Sequence, residues 1–408
     1  MSVIKDILAR KIYDSRSHST LEVDVVLDNG ILGRSSVPSG ASTGANEVFK
    51  LEDITQAIKN VEILKNNLIG HDPQKQEEID LLMVNSDGTH QKKNLGGNVL
   101  LAISLAVCQA AAKDQNKPLY KYINSISGIK LDKFIMPIPL FNIVNGGKHA
   151  DSNLPFQEFM IVPQIGQTFQ EKLDVGVKVY LTLKSNLKKM NLSTNVGDEG
   201  GFAPTFNTNE EAMEIIINAI SDAGLEPKKD VAIALDIAAS SIPDLNAVTY
   251  PLDPIDYYEK ILNEYPIALL EDPLPENAWE DWKQLTASLG NRVEIIGDDI
   301  FTTNPEILAK GIEMKVANAI LIKPDQIGTL SETFKTIRLA KEKKYMVVIS
   351  HRSGETESTF IADLAVGVGA EHIKSGAPCR GERVAKYNQL LRIEEEINRD
   401  AQNNNTVK

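Results

Sequence analysis

The stretch PIALLE, residues 266–271, decides the fold. Ala268, Leu269 and Leu270 read as the end of a buried strand. The run then stops on a carboxylate, Glu271, followed by Asp272 and Pro273. A bare carboxylate closing an apolar run is costly unless a cation or hydrogen-bond donor meets it. Runs of the same build recur: VAIALD (231–236), VEIIGD (293–298), AILIK (319–323), MVVISH (346–351) and EHIK (371–374). Each ends in an ionisable residue, so Asp236, Glu271, Asp298, Lys323, His351 and Lys374 form one series. Helical patterns lie between the runs; SETFKTIRLAKEKK (331–344) carries Phe334, Ile337 and Ala340 at helical spacing. Strand–helix alternation predicts a parallel sheet covered by helices. Six such units, with further strands within 134–163, predict closure into a (β/α)8 barrel. The strand C-termini of such a barrel converge on the face where chemistry occurs. One polar strand end means little, since loops are polar; six in order predict six heads at one spot.

Residues before this series are patterned differently. TLEVDVVLDNGILGRSS (20–36) alternates around Asn29-Gly30, a hairpin signal. A polar loop, PSGASTG (38–44), follows, and from about Asp53 the pattern is mostly helical. The expected organisation is an N-terminal α+β cap domain over 1–130 and a catalytic barrel domain over 131–408, an α/β chain with a modified (β/α)8 TIM-type barrel. The Asn-rich tail around Asn403–Asn405 is expected to fray.

Composition narrows the function. The chain has 408 residues, 42% hydrophobic, with 43 Lys and Arg against 56 Asp and Glu, a net charge of −13. Such an acidic chain repels nucleic-acid phosphates, so no nucleic-acid partner is expected. Its most apolar long run, VLLAISLAVCQAAA (99–112), is shorter than the ~20 residues of a membrane span. It reads as a buried helix, and no membrane association is expected. MSVIKDILAR has no apolar signal-type core, and two cysteines suit a reducing compartment. A cytoplasmic location is the expectation.

The heads suggest a chemistry. Asp236, Glu271 and Asp298 offer hard oxygen ligands from three strands, which suits Mg2+. No Cys/His cluster has zinc spacing. Lys323 would serve as a general base only with a pKa well below its usual value, and a dication and Lys374 nearby are expected to push it down.

Taken in order, IYDSR (12–16), PSGASTG (38–44), NGGKHA (145–150), QEFMIVP (157–163), NVGDEGG (195–201), LEDP (270–273), GDD (297–299), ISHRSGETE (349–357), IKSGAP (373–378) and KYNQLLRIEEE (386–396) resemble the enolases over nearly the whole chain. A Lys or His base with one or two Mg2+ ions is the known arrangement of that superfamily. The resemblance implies a Mg2+-dependent, reversible dehydration of 2-phosphoglycerate to phosphoenolpyruvate. It implies Asp236, Glu271 and Asp298 as ligands of a first Mg2+, and Ser42 as a ligand of a second that arrives with substrate. Lys323 would take the C2 proton, and Lys374 would bind the substrate carboxylate. Glu199 and Glu158 would act on the leaving hydroxyl. Arg352 and Ser353 would hold the phosphate, with His149 on a loop near it and His351 beside the site. A small phosphorylated acid as substrate and a homo-oligomer, dimer or higher, are implied as partners.

The chain also departs from the family pattern. Ser17, His18 and Ser19 stand where Gly, Asn and Pro are usual, so the turn there is expected to differ. The segments after Glu47 and over Ser241–Asp256 are short, and Ser241 replaces a common acid. Asp325 stands where asparagine is typical. Two alternatives therefore stay open: a lyase of secondary metabolism acting on a phosphonate or another phosphorylated acid, and a non-catalytic binding protein of the same fold.

Overall fold

The computed structural model describes residues 2–40, 44–249 and 251–406. In the N-terminal part, β1 (Ile4–Tyr13), β2 (Ser19–Leu27) and β3 (Leu32–Ser36) form an antiparallel sheet in that order. The β2–β3 turn lies at the Asn29-Gly30 signal, with Gly30 at φ 86°, a backbone region that glycine enters without strain. The helix Gly97–Asp114 is buried over almost its whole length and packs on β2 and β3. Gly33 permits that approach, because a Cβ there would lie 2.1 Å from Ala106 O. This is the apolar run 99–112, and among the described residues no helix is long and apolar enough to cross a membrane.

The 14–18 turn keeps its tightness without glycine. Ser17 adopts φ 61°, and Asp14 Oδ1 accepts from the backbone N–H groups of Arg16 and His18 at 2.9 Å each. The side chain of Asp14 closes the turn, and Ser15 N–H then bonds to Glu355 O at 2.8 Å, tying the cap to the barrel rim.

Eight strands close the barrel: β4 (Ile138–Asn145), β5 (Glu158–Pro163), β6 (Val231–Asp236), β7 (Ile267–Glu271), β8 (Glu294–Gly297), β9 (Ala319–Ile322), β10 (Met346–Ser350) and β11 (His372–Lys374), with β11 pairing back to β4. The six runs of 231–374 are parallel, as their alternation with helices predicts, and one of the strands within 134–163 departs from them. β5 runs antiparallel to both β4 and β6. The reason is the connection 146–157, which contains only the 3-10 turn Gly147–His149 and not the helix that a parallel crossover uses. β5 therefore begins, at Glu158, on the face where its neighbours end.

After β5, the helices Phe169–Lys189 and Asn209–Asp222 pack together. The first starts from a capping box between Thr168 and Glu171. The segment joining them returns to the same face, where Phe202 N–H bonds to Ile143 O (2.9 Å) and Asn145 N–H bonds to Phe202 O (2.8 Å).

The barrel interior is a small apolar plug that includes Ala234, Leu269, Ile296, Leu321 and Val348. The opposite faces of the same strands pack against the surrounding helices, through residues such as Leu235, Leu270 and Ile320. The expected fraying of the tail is also corrected: the helix Gly381–Thr406 runs through Asn403–Asn405.

Candidate active site

Strand periodicity builds the site. Side chains two residues apart on a strand share a face. Ala234 precedes Asp236 by two, Leu269 precedes Glu271, Ile296 precedes Asp298, and Leu321 precedes Lys323. The apolar members fill the barrel, so the charged members stand directly above them on its axis. Lys374 ends β11 and joins them.

The three expected metal carboxylates are buried: Asp236, Glu271 and Asp298. Lys374 Nζ lies 2.8 Å from Glu271 Oε2, 3.0 Å from Asp236 Oδ2 and 3.1 Å from Glu158 Oε1. Lys323 Nζ bonds to Asp298 Oδ2, and Gln326 Nε2 donates to Asp298 Oδ1 at 2.8 Å. Burial and Asp236 push the Glu271 carboxyl up to about 8, against the pull of Lys374. Lys323 is expected to titrate low beside a dication; the carboxylate it is paired with acts in the opposite direction. Burial alone would lower its pKa, but Asp298 beside it more than offsets that and holds it above the ordinary lysine range. Lys374 is raised in the same way by Asp236, Glu158 and Glu271 against its burial.

Among the described residues, two acidic clusters have ligand atoms within 4.8 Å of one another and could hold a metal: Asp272 with Asp298 and Asp299, and His149 with Glu158 and Glu199. Neither is the expected trio, whose oxygens the two lysines share. The trio's donors are nonetheless hard oxygens at the ends of three adjacent strands, held by two ammonium groups and by the amides of Gln326 and Gln157, and that chemistry fits a hard dication. Asp272 lies one residue past Glu271, just beyond the end of β7. It accepts from the backbone N–H groups of Asp298 and Asp299 at 2.9 and 2.8 Å, fixing the GDD turn.

A second group is the acid pair. Glu158 enters from the reversed β5 and Glu199 from the 190–208 segment. His149 Nδ1 is 3.4 Å from Glu158 Oε1 and from Glu199 Oε1. His149 is buried, although a loop histidine usually lies on the surface. Burial and the neighbouring Glu199 hold Glu158 well above the usual carboxylate range. Burial also works to raise Glu199, but His149 and His351 outweigh it and hold that carboxyl well below the usual range. The two carboxyls are thus pushed in opposite directions, Glu158 up and Glu199 down.

His351 is 3.2 Å from Glu199 through Nε2, while Arg383 NH1 is 2.7 Å from its Nδ1. A guanidinium can only donate, so Nδ1 accepts and Nε2 carries the proton facing Glu199. Burial pushes His351 down to about 4.

The third group is cationic. Arg352 is buried and faces two acids: Glu47 at 3.0 Å through NH2 and Asp325 at 3.2 Å through Nε. Ser353 Oγ is buried beside it with no hydrogen-bond partner among the described residues. Buried hydroxyls are normally paired, so this one suits an incoming oxygen atom. Arg383 holds both residues by the backbone, donating to Arg352 O at 2.6 Å and Ser353 O at 2.5 Å.

Members of all three groups, among them Asp236, Lys374, Glu199 and Arg352, line one cleft together with Gly40 and Gln157, and the free space in it is about 20 Å³. That is near the volume of one water. Ser42 lies outside the described residues.

Arg383 and Glu47 were missed in the sequence. Arg383 had a signal: Arg383, Lys386, Tyr387 and Leu390 share one helical face, and all four are buried, so two cations point at the core. Glu47 had none, because it follows a polar loop in which acids are ordinary.

Residues 4–123 match the family described as "Enolase, N-terminal domain", and residues 133–407 match the one described as "Enolase, C-terminal TIM barrel domain".

Proposed function

Because this chain belongs to the enolase family, we propose that it is a Mg2+-dependent lyase that converts 2-phosphoglycerate reversibly to phosphoenolpyruvate. The observation that carries this reading is the grouping on one rim of a lysine–carboxylate cluster, a buried pair of glutamates around His149 and a buried arginine beside an unpaired serine hydroxyl. Those are the parts needed to take a proton from C2, to protonate a leaving hydroxyl at C3 and to hold a phosphate.

Asp236, Glu271 and Asp298 would hold the dication, which when bound supplies positive charge to the carboxylate end of the substrate. Lys374, beside them, would bind the substrate carboxylate. Lys323 accepts the C2 proton, which requires it to leave Asp298 and become neutral. The C2–H electron pair passes into the conjugated carboxylate as an enolate. Collapse of that enolate expels the C3 oxygen, and the proton held by Glu158 and Glu199 leaves with it as water. The protonated Nε2 of His351 keeps Glu199 ionised and so keeps the shared proton on Glu158. Arg352 is suited to grip phosphate because a guanidinium presents paired N–H donors, and Ser353 Oγ would add a further bond.

The acidic surroundings of Arg352, with Asp325 in contact, favour a second reading, in which the substrate is a different phosphorylated or phosphonate acid. The deciding experiment follows enol formation by ultraviolet absorbance with 2-phosphoglycerate, with and without Mg2+, and with unphosphorylated glycerate as control. Turnover of 2-phosphoglycerate that is lost on chelation and regained with Mg2+ is expected, with glycerate ignored. Equal turnover of unphosphorylated sugar acids would leave only the superfamily assignment.

A further inference from the structure

Arg352 carries one positive charge and meets two carboxylates, so the group it forms with Glu47 and Asp325 has a net charge of −1 when both acids are ionised. That is a poor start for an anion site, and the two acids are not equivalent. Glu47 has several structural duties. It accepts from Arg352 NH1 and NH2 at 3.1 and 3.0 Å, from Gly44 N–H at 3.1 Å and from Gln326 Nε2 at 3.4 Å. Asp325 has one cation within 4.0 Å of its carboxylate among the described residues, and that cation is Arg352. Its side chain is only 12% exposed. Burial pushes its pKa up to about 6 even with the guanidinium in contact, so the charge is held there at a cost. Its place is rigid: it stands in the short helix Pro324–Ile327 directly after β9, and Arg352 follows β10, the strand paired with β9. Glu47, Asp325 and Arg352 line one cavity of about 280 Å³.

The geometry points to Asp325 as a specificity-determining residue: its carboxylate subtracts one charge from the Arg352 anion subsite and so selects against small free oxyanions, such as inorganic phosphate, that have this subsite as their main anchor. The penalty is the same for both ligands, but a substrate with a second anionic group offsets it with its contact to Lys374, whereas a free oxyanion has no such contact and is left weakly bound. The inference rests on the reading of Arg352 as the contact for the substrate's phosphate.

The test is calorimetric titration of inorganic phosphate into the full-length protein at low ionic strength and above neutral pH, where Asp325 is ionised. Asp325→Asn keeps the shape of the side chain, and Glu47 keeps Arg352 oriented. Removing one nearby charge from a partly buried site should tighten phosphate binding by about tenfold. Asp325→Ser removes the same charge without the amide and should act in the same direction. Both variants should also lower KM for 2-phosphoglycerate more than they change kcat, a split that a mere loss of packing would not produce. Arg352→Met should weaken phosphate. If Arg352→Met weakens phosphate while both Asp325 variants leave it unchanged or weaker, the inference is overturned and the reading of Arg352 stands. If Arg352→Met leaves phosphate binding unchanged, the reading of Arg352 is wrong and the inference falls with it.

Discussion

The floor and the rim of the barrel are built from the same strands and differ in almost everything else. At the floor, Ala234, Leu269, Ile296 and Leu321 pack into one apolar plug. Two residues further along, the buried carboxylates Asp236, Glu271 and Asp298 and the half-buried Lys323 meet as charges. The floor is stabilised by leaving water, a term that needs no particular partner. The rim is tolerable only because each charge has a specific partner. A substitution at the floor should therefore cost stability, while one at the rim should cost chemistry.

The largest expected effect is at the rim. Lys323→Ala should reduce kcat by roughly 10²- to 10⁴-fold, the usual worth of a positioned general base. It should also stop exchange of the C2 proton with solvent, which proton NMR of 2-phosphoglycerate in D2O would follow. Exchange at the wild-type rate would remove Lys323 from the proton transfer.

The matching change at the floor is Leu269→Ala. It should cost about 2–5 kcal/mol of stability, the range for truncating a buried leucine. At a temperature where the variant stays folded, kcat should remain within a few-fold of wild type. A loss of kcat comparable to that of Lys323→Ala would break the division between the two ends.

Arg352→Met comes next. Losing one charge-assisted contact costs roughly 1.5–3 kcal/mol. The drop in kcat/KM for 2-phosphoglycerate should be about tenfold to a hundredfold, while Mg2+ binding measured by calorimetry stays nearly unchanged. Parallel loss of both would mean that Arg352 supports the whole rim and not the phosphate.

The smallest effect compares two histidines. Burial pushes His351, at the rim, and His372, at the floor, each down to about 4. A histidine with a lowered folded-state pKa contributes stability that is fully present above its unfolded value and lost as pH falls from there towards 4. For His372 that loss should reach about 2 kcal/mol near pH 5. His372→Gln should remove that share of the acid sensitivity, seen as a smaller difference in melting between about pH 8 and pH 5, and keep activity. His351→Gln should remove a similar share and lose activity, because its contact with Glu199 goes as well. An unchanged pH slope in His372→Gln would mean that this histidine is not buried neutral.

Much of the rim was legible in the sequence. Six apolar runs closing on Asp236, Glu271, Asp298, Lys323, His351 and Lys374 predicted a barrel with polar heads on one face, and the heads stand there. The two-residue period also ties each head to the apolar residue beneath it, as Leu269 to Glu271 and Ala234 to Asp236. These features are local, because strand period and burial are properties of a few consecutive residues.

The tertiary structure alone decided the rest. Glu158 begins its strand rather than ending it, and reaches the rim only because β5 is reversed. That reversal depends on what 146–157 does not form, a helix, which no motif at Glu158 reveals. Glu199 arrives between two helices, and Arg383 from the C-terminal helix, roughly thirty residues past the backbone oxygens it holds. The charge states were hidden for the same reason. Lys323 is paired with Asp298, which raises its pKa against the effect expected of a dication, and Arg352 is shared by Glu47 and Asp325, 278 residues apart in the chain. Residue type and local pattern determined which charges this protein carries to its rim. Which charge meets which is a matter of distance in a low-dielectric interior, and only the closed barrel sets those distances.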